Sequence, residues 1–253
     1  MTPPYPQIIP RPAEWRPGRE APWASLDRDA RSTIRVDAVI TALRDLGLGG
    51  PPSPTISPRG NDVEVIDGLD LGGRLRSSAV LLALFEEGGQ ARIILTRRSG
   101  RLSNHRGEVS FPGGRVDAGE TTVETALREA NEEVALDPRS VDVAAHLHPI
   151  VTLASSSLIQ PVVGVLPGRP RLTAAPDEVE RVFDVALVDL LAPGVFHEER
   201  WVRPERQAWL GSSDGSFPLW FFEVSGEMIW GATGRLLVDV LCAVLGVEVH
   251  PEP

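Results

Sequence analysis

A single cysteine, Cys242, stands in a chain of 253 residues, so it can build neither a disulfide nor a thiolate zinc cluster. Its neighbours Leu236, Leu237, Val240, Leu241, Val244 and Leu245 recur at helical spacing, which predicts a buried structural thiol rather than a reactive one. Excess basic charge is also lacking. With 25 Lys and Arg against 35 Asp and Glu, the net charge is −10, and no local basic stripe offsets it. A general nucleic-acid partner is therefore not expected. No stretch approaches the length of a membrane span, and no apolar run follows a basic start as in a signal peptide. A cytoplasmic chain without membrane contact is the expectation. Internal repeats and long charge blocks are missing too. None of this excludes an anionic substrate, because a bound cation inverts the local field of an acidic protein.

What the chain holds in quantity is proline, 23 residues in all. Residues 1–65 are expected to form an N-terminal extension in three parts. The first is a proline-rich arm to residue 24, extended, with Trp15 and Trp23 as anchors and with no candidate ligand or base. The second is a helix carrying Val36, Val39, Ile40, Leu43 and Leu46 on one stripe, ended by Gly47 and packed on the main domain. The third is a proline-rich loop from Gly49 to about Asp62. Residues 66–253 are expected to form one compact domain. Ala79–Phe85 and Ala91–Thr96 flank Glu86-Glu87-Gly88-Gly89-Gln90, which predicts a hairpin. Further strands are predicted at Ile150–Leu153, Leu158–Leu166 and Leu219–Val224, and helices at Thr122–Ala135, Val185–Leu191 and Ala232–Leu245. Strands and helices interleave with hairpins and uneven spacing. That pattern predicts an α/β (α+β) fold, a mixed sheet with helices on both faces.

The chemistry concentrates on the helix from Thr122. Thr121 and Glu124 form a capping-box pattern at its start. Val123, Ala126, Leu127, Ala130 and Val134 share the face expected against the sheet. Glu129, Glu132 and Glu133 stand at i, i+3 and i+4, so their carboxylates are neighbours and repel. A solvated acidic face eased by Arg128 is one reading. A hard divalent cation, which takes oxygen ligands, is the other. The residues before the helix, Phe111-Pro112-Gly113-Gly114-Arg115-Val116-Asp117-Ala118-Gly119-Glu120, favour the second. Paired glycines allow close backbone approach and expose carbonyl oxygens, and Glu120 stands where it can orient Arg128.

Gly114, five residues, Glu120, seven residues, then Arg128-Glu129-Ala130-Asn131-Glu132-Glu133 and Val134-Ala135-Leu136: this span resembles the box of the Nudix hydrolases, G-x5-E-x7-R-E-U-x-E-E-x-G-U. Only Ala135 departs, standing where the family has glycine. The resemblance implies a Nudix-type α/β/α sandwich with a mixed β-sheet and a Mg²⁺ cofactor, with Mn²⁺ as the alternative. It implies Glu129 and Glu133 as principal metal ligands, Glu132 as a further ligand or a base, and the Gly114 carbonyl as another ligand. Arg128 and Glu120 would be the ion pair tying loop to helix.

Upstream, Leu95-Thr96-Arg97-Arg98-Ser99-Gly100-Arg101-Leu102-Ser103-Asn104-His105-Arg106-Gly107-Glu108-Val109-Ser110-Phe111-Pro112-Gly113-Gly114 is similar to the segment of the coenzyme A pyrophosphatase branch. So are Pro161-Val162-Val163-Gly164 and Ile229-Trp230-Gly231-Ala232-Thr233. The branch implies a small-molecule diphosphate of the coenzyme A class as partner, cut to 3′,5′-ADP and 4′-phosphopantetheine or its acyl form, with a homodimer left open. Arg97, Arg98 and His105 would bind substrate, since coenzyme A carries an extra 3′-phosphate and arginine suits phosphate. Glu178, in an acidic run, is a further acidic candidate near the metals. His146, His148 and Trp230 read as structural. A Nudix hydrolase for ADP-ribose or a nucleotide is the rival enzyme, and a nucleotide-sensing module without turnover the rival from another class.

Overall fold

The computed structural model describes residues 7–27, 29–49, 62–63, 75–102, 106–152, 156–203 and 215–249. Its strands are β1 (Trp15–Pro17), β2 (Asp62–Val63), β3 (Leu75–Glu87), β4 (Gln90–Arg98), β5 (Val109–Ser110), β6 (Gly113–Arg115) and β7 (Asp142–His146). They continue as β8 (Ile150–Thr152), β9 (Ser157–Val165), β10 (Val179–Ala186), β11 (Phe196–Val202), β12 (Ser216–Val224) and β13 (Glu227–Ile229). The helices are α1 (Val36–Asp45), α2 (Thr122–Val134) and α3 (Gly231–Leu245).

Strands β3 and β4 form the expected hairpin, turning at Gly88 and Gly89 with φ of 60° and 74°. A two-residue turn with positive φ at both positions matches the twist of the strands it joins, and glycine adopts it without strain. The larger sheet runs β10-β4-β3-β9-β7, with β9 parallel to β3 and the remaining neighbours antiparallel. The mixed sheet read from the sequence is the one present. Beyond Ile93 the partner of β3 changes. Its first half pairs β6 at Ser78–Val80, while the end of β4 pairs β5. The segment 109–115 thus fills the gap between diverging strands, and this brings Gly113 and Gly114 beneath α2.

Burial on both faces of this sheet explains why β3 is apolar without a break from Ala79 to Phe85. Ala79, Leu81, Ala83, Phe85, Ile94 and Val162 pack against Ala126, Ala130, Val134 and Leu136 on the α2 side. Leu82, Leu84, Ile93, Leu95 and Val163 face the other way, onto α1 and α3. Cys242 is buried there, and burial pushes its thiol up to about 12, consistent with a structural role.

A second sheet, β1-β11-β12-β13, joins the same core through Trp220, Phe222 and Ile229. The early part of the chain is built into this body. Strand β1 pairs β11, Trp23 is 2% exposed with its ring 5.1 Å from Phe196 and 6.3 Å from Phe222, and Arg11 Nε donates to Glu199 at 2.9 Å. Of the expected α1 stripe, Val36, Val39, Ile40 and Leu43 are buried, whereas Leu46, at the helix end, is exposed, and Gly47 follows with φ 75°. Most of the predicted proline-rich loop, residues 50–61, lies outside the described residues.

One predicted helix is corrected. Val185 and Ala186 complete β10, and Leu187–Leu191 forms a 3₁₀ turn. A short run of Val, Ala and Leu has no period that separates a buried strand from a helix. No described helix is long and apolar enough to cross a membrane.

Candidate active site

Helix α2 starts at the capping box. Thr121 Oγ1 accepts the Glu124 N–H at 3.2 Å, and Glu124 Oε2 accepts the Thr121 N–H at 2.7 Å. Glu124 is thereby committed to the cap and leaves Arg128 to other partners. The apolar stripe lies on the sheet, which fixes where the acidic residues point. The side chains of Glu133, Glu129 and Glu132 are 3%, 16% and 57% exposed. They do not form one solvated face: Glu133 turns inward beside the core, and Glu132 turns out to water.

Beneath them, both glycines of β6 are required by contact. A Cβ at Gly113 would strike the Ala79 carbonyl and Val80, and one at Gly114 would strike the Glu129 carboxylate. The Gly113 N–H donates to Glu133 Oε2 at 3.3 Å. Past the helix, Ala135 takes the left-handed conformation, φ 55°, and Asn131 Nδ2 donates to the Leu136 carbonyl at 3.0 Å to close the turn. Alanine thus adopts the shape for which glycine is the easier residue.

Arg128 organises the loop. Its Nε donates to Glu120 Oε1 at 2.7 Å and its Nη2 to Glu120 Oε2 at 3.1 Å, a two-point clamp, and Nη2 also reaches the Arg115 carbonyl at 3.1 Å. Its Nη1 donates at 2.9 Å to both Glu129 and Glu132. The Arg128 guanidinium holds Glu120 down at about 2, and these carboxylates push Arg128 up in turn. Glu133 behaves oppositely. Burial raises it to about 7, against the weaker opposing pull of Arg98 and the Gly113 N–H, while Glu129 and Glu178 push it further up. Burial raises Glu129 as well, with Arg128 opposing. Among the described residues no three acidic or histidine side chains converge on a ready-made ligand set. The geometry gives the reason: Arg128 draws Glu129 and Glu132 to itself, while Glu133 sits apart. Two desolvated carboxylates with only oxygen to offer still fit a hard divalent cation, whose charge offsets the cost of keeping both ionised.

The twin arginines separate. Successive residues of a strand face opposite ways. Arg98 faces α2, its Nη1 3.7 Å from Glu133 Oε1, and its buried Nε has no hydrogen-bond partner among the described residues. Arg97 faces away from α2 and is 2% exposed, bonded to Glu227 on β13 and, at 3.3 Å, to Glu180 on β10. The expectation that Arg97 contacts substrate is therefore corrected: its charge is buried and matched by protein carboxylates. His105 lies outside the described residues. Glu178 is exposed at the mouth, its carbonyl accepting the Ser99 N–H at 2.8 Å beside Arg98, and its charge acts on Glu129 and Glu133. Trp230 stacks on Phe221 at 6.2 Å, a packing role. Glu180, Glu227 and Thr233, which tie this region together, were not singled out from the sequence, although Thr233 ends the quoted Ile229–Thr233 run.

Residues 75–207 match the NUDIX domain family. The Nudix hydrolase NudL of Citrobacter koseri, itself called uncharacterized, is 34% identical over 177 residues, covering 70% of this chain and 85% of that protein. Nudix hydrolase 15, mitochondrial, of Arabidopsis thaliana is 37% identical over 171 residues, covering 64% of this chain and 56% of the plant protein, so the chain spans little more than half that relative's length. Among solved structures, a MutT/nudix family protein from Enterococcus faecalis aligns over 72% of this chain and 66% of its own, at 14% identity and a TM-score of 0.43.

Proposed function

The chain belongs to the Nudix family, and from that premise we propose that it hydrolyses the diphosphate bond of coenzyme A or its thioesters, giving 3′,5′-ADP and 4′-phosphopantetheine or its acyl form. The observation that carries the reading is the pairing of Glu133 with Arg98. A buried carboxylate at about 7 and an arginine with an orphaned Nε face each other across 3.7 Å. Such a pair supports a reading in which the carboxylate takes a cation and the arginine a phosphate.

Glu129 and Glu133 would hold Mg²⁺ or Mn²⁺, with the Gly114 carbonyl beside them and Glu132 as a further ligand or base. When bound, the ion supplies charge neutralisation for the diphosphate and a lowered pKa for the attacking water. Arg128 and Glu120 keep the glycine loop against α2, so the carbonyl and the carboxylates stay in register. With Glu133 engaged by a cation, Arg98 would be free to donate to a phosphate oxygen, which would also satisfy its Nε. Glu178 adds negative charge at the mouth, where it favours a cation-bearing complex over a bare anion.

The choice of coenzyme A rests on the segment Leu95–Gly114 and on the Ile229–Thr233 run. A substrate panel with Mg²⁺ or Mn²⁺ tests it. Coenzyme A is expected to exceed ADP-ribose and nucleoside triphosphates in kcat/KM. Dephospho-coenzyme A is expected to fall about ten- to a hundredfold below coenzyme A if a cation contacts the 3′-phosphate. A panel led by ADP-ribose or a nucleotide would overturn the coenzyme A assignment and leave a Nudix hydrolase. Binding without turnover of any member would favour a sensing module instead.

A further inference from the structure

Arg97 is a motif residue that the proposed chemistry leaves unused, yet it is buried with its charge held between two carboxylates. Glu227, whose side chain is 2% exposed, accepts from Arg97 Nη1, and Arg181 Nη1 reaches the other carboxylate oxygen at 3.1 Å. Glu180 takes Arg97 Nε at 3.3 Å. Desolvating two full charges is costly before the pair recovers it, so such a pair is poor evidence of a stability role. Its position suggests another role. Arg97 is the penultimate residue of β4, and Arg98, the last, projects from the opposite face toward Glu133.

The same remote stretch holds the other end of this segment. Thr233 Oγ1 donates to the Val109 carbonyl at 3.0 Å, while the Arg98 N–H donates to Glu108 O at 2.9 Å and the Gly107 N–H to Arg98 O at 3.2 Å. The stem of the 98–109 excursion is therefore fastened twice to residues 227–233, more than a hundred positions later in the chain. With Arg97 pinned, the strand end cannot rotate about its axis, and Arg98 keeps its aim.

We propose that Glu227 is a positioning residue for the diphosphate site: through Arg97 it fixes the end of β4 so that Arg98 meets the substrate phosphate. This rests on the function proposed above. Glu227 and Arg98 lie on opposite sides of the strand and make no direct hydrogen bond or ion pair, so the proposed coupling runs through the backbone of β4, and the Arg97→Met, Glu227→Leu pair, which removes one charge of each sign, separates it from a through-space effect of the Glu227 charge.

A double-mutant cycle with Glu227→Gln and Arg98→Ala tests the coupling. The readouts are calorimetric binding of α,β-methylene-ADP with Mg²⁺, and KM and kcat on the best diphosphate of the panel. Each single variant is expected to weaken binding about tenfold and to raise KM more than it lowers kcat. The double variant is expected to match Arg98→Ala within about twofold, because no aimed side chain remains to be misaligned. Additive losses in the double variant, or wild-type binding by Glu227→Gln, overturn the proposal. A wild-type protein that neither binds nor cuts any diphosphate overturns the functional reading on which it stands. Should Glu227→Gln fail to fold, Arg97→Met with Glu227→Leu removes the two most buried charges together, leaving only the more exposed Glu180 and Arg181, and enters the same cycle.

Discussion

The α-carbon of Gly114 lies so close beneath the carboxylate of Glu129 that a methyl group there would overlap it. The φ of Gly114 is not positive, so the backbone itself would accept alanine. What must yield is the far end of a glutamate. Gly114→Ala should therefore leave melting within a few degrees of wild type. It should weaken Mn²⁺ binding about tenfold and turnover about a hundredfold. Unchanged metal affinity in this variant would separate Gly114 from the cation site.

Glu133 gives a pH prediction for the metal-free protein. Its pKa in the folded state is about 7, above its ordinary 4.5, so the folded chain holds that proton more tightly than the unfolded one. The stability it contributes is complete below 4.5 and is lost as pH rises through 4.5 to about 7. Glu133→Gln escapes that loss. With chelator present, its stability relative to wild type should rise on the order of 2 kcal/mol between pH 4.5 and 8, while turnover with Mg²⁺ falls by orders of magnitude. Parallel denaturation curves across this range would contradict the elevated pKa.

Ala135 carries a left-handed φ of 55°. An L-residue there costs roughly 1–2 kcal/mol, against which glycine loses some unfolded-state entropy. Ala135→Gly should stabilise the protein by roughly 0.5–1 kcal/mol, raising Tm by roughly 1–3 °C. Steady-state kinetics should not change, since α2 keeps its ligand-bearing turns. A lower Tm would mean that the alanine methyl has a contact that matters more than the dihedral.

Trp23 is nearly fully buried among Phe196 and Phe222, far in sequence from every proposed ligand. Trp23→Ala should cost about 3–5 kcal/mol, a drop of roughly 10 °C in Tm. Its kcat, measured well below that Tm, should match wild type. A variant that stays folded but loses turnover would mean the arm contributes to the chemistry.

The site was legible where its signals are local. The capping box, the apolar stripe of α2 and the fixed spacing from Gly114 to Glu133 all lie within residues 114–134, and each landed where the pattern put it. Arg97 was misjudged because its partner Glu227 belongs to β13 of the second sheet, and the packing of one sheet on the other is contained in no short window of sequence. Strand β11 was missed for a related reason. Its Glu198, Glu199 and Arg200 are buried, and so many charges disguise the alternation by which strands are found. The three-residue β1 has no period at all, and only its register with β11 makes it a strand.

That register also sets an order of events at the ribosome. Trp15 pairs with Trp201, so β1 must wait for β11, which leaves the ribosome much later. At ordinary elongation rates the interval is roughly ten to forty seconds. Throughout it, Trp23 and the arm around it lack the β11 and β12 residues they pack on, which leaves them open to proteases and to capture by chaperones.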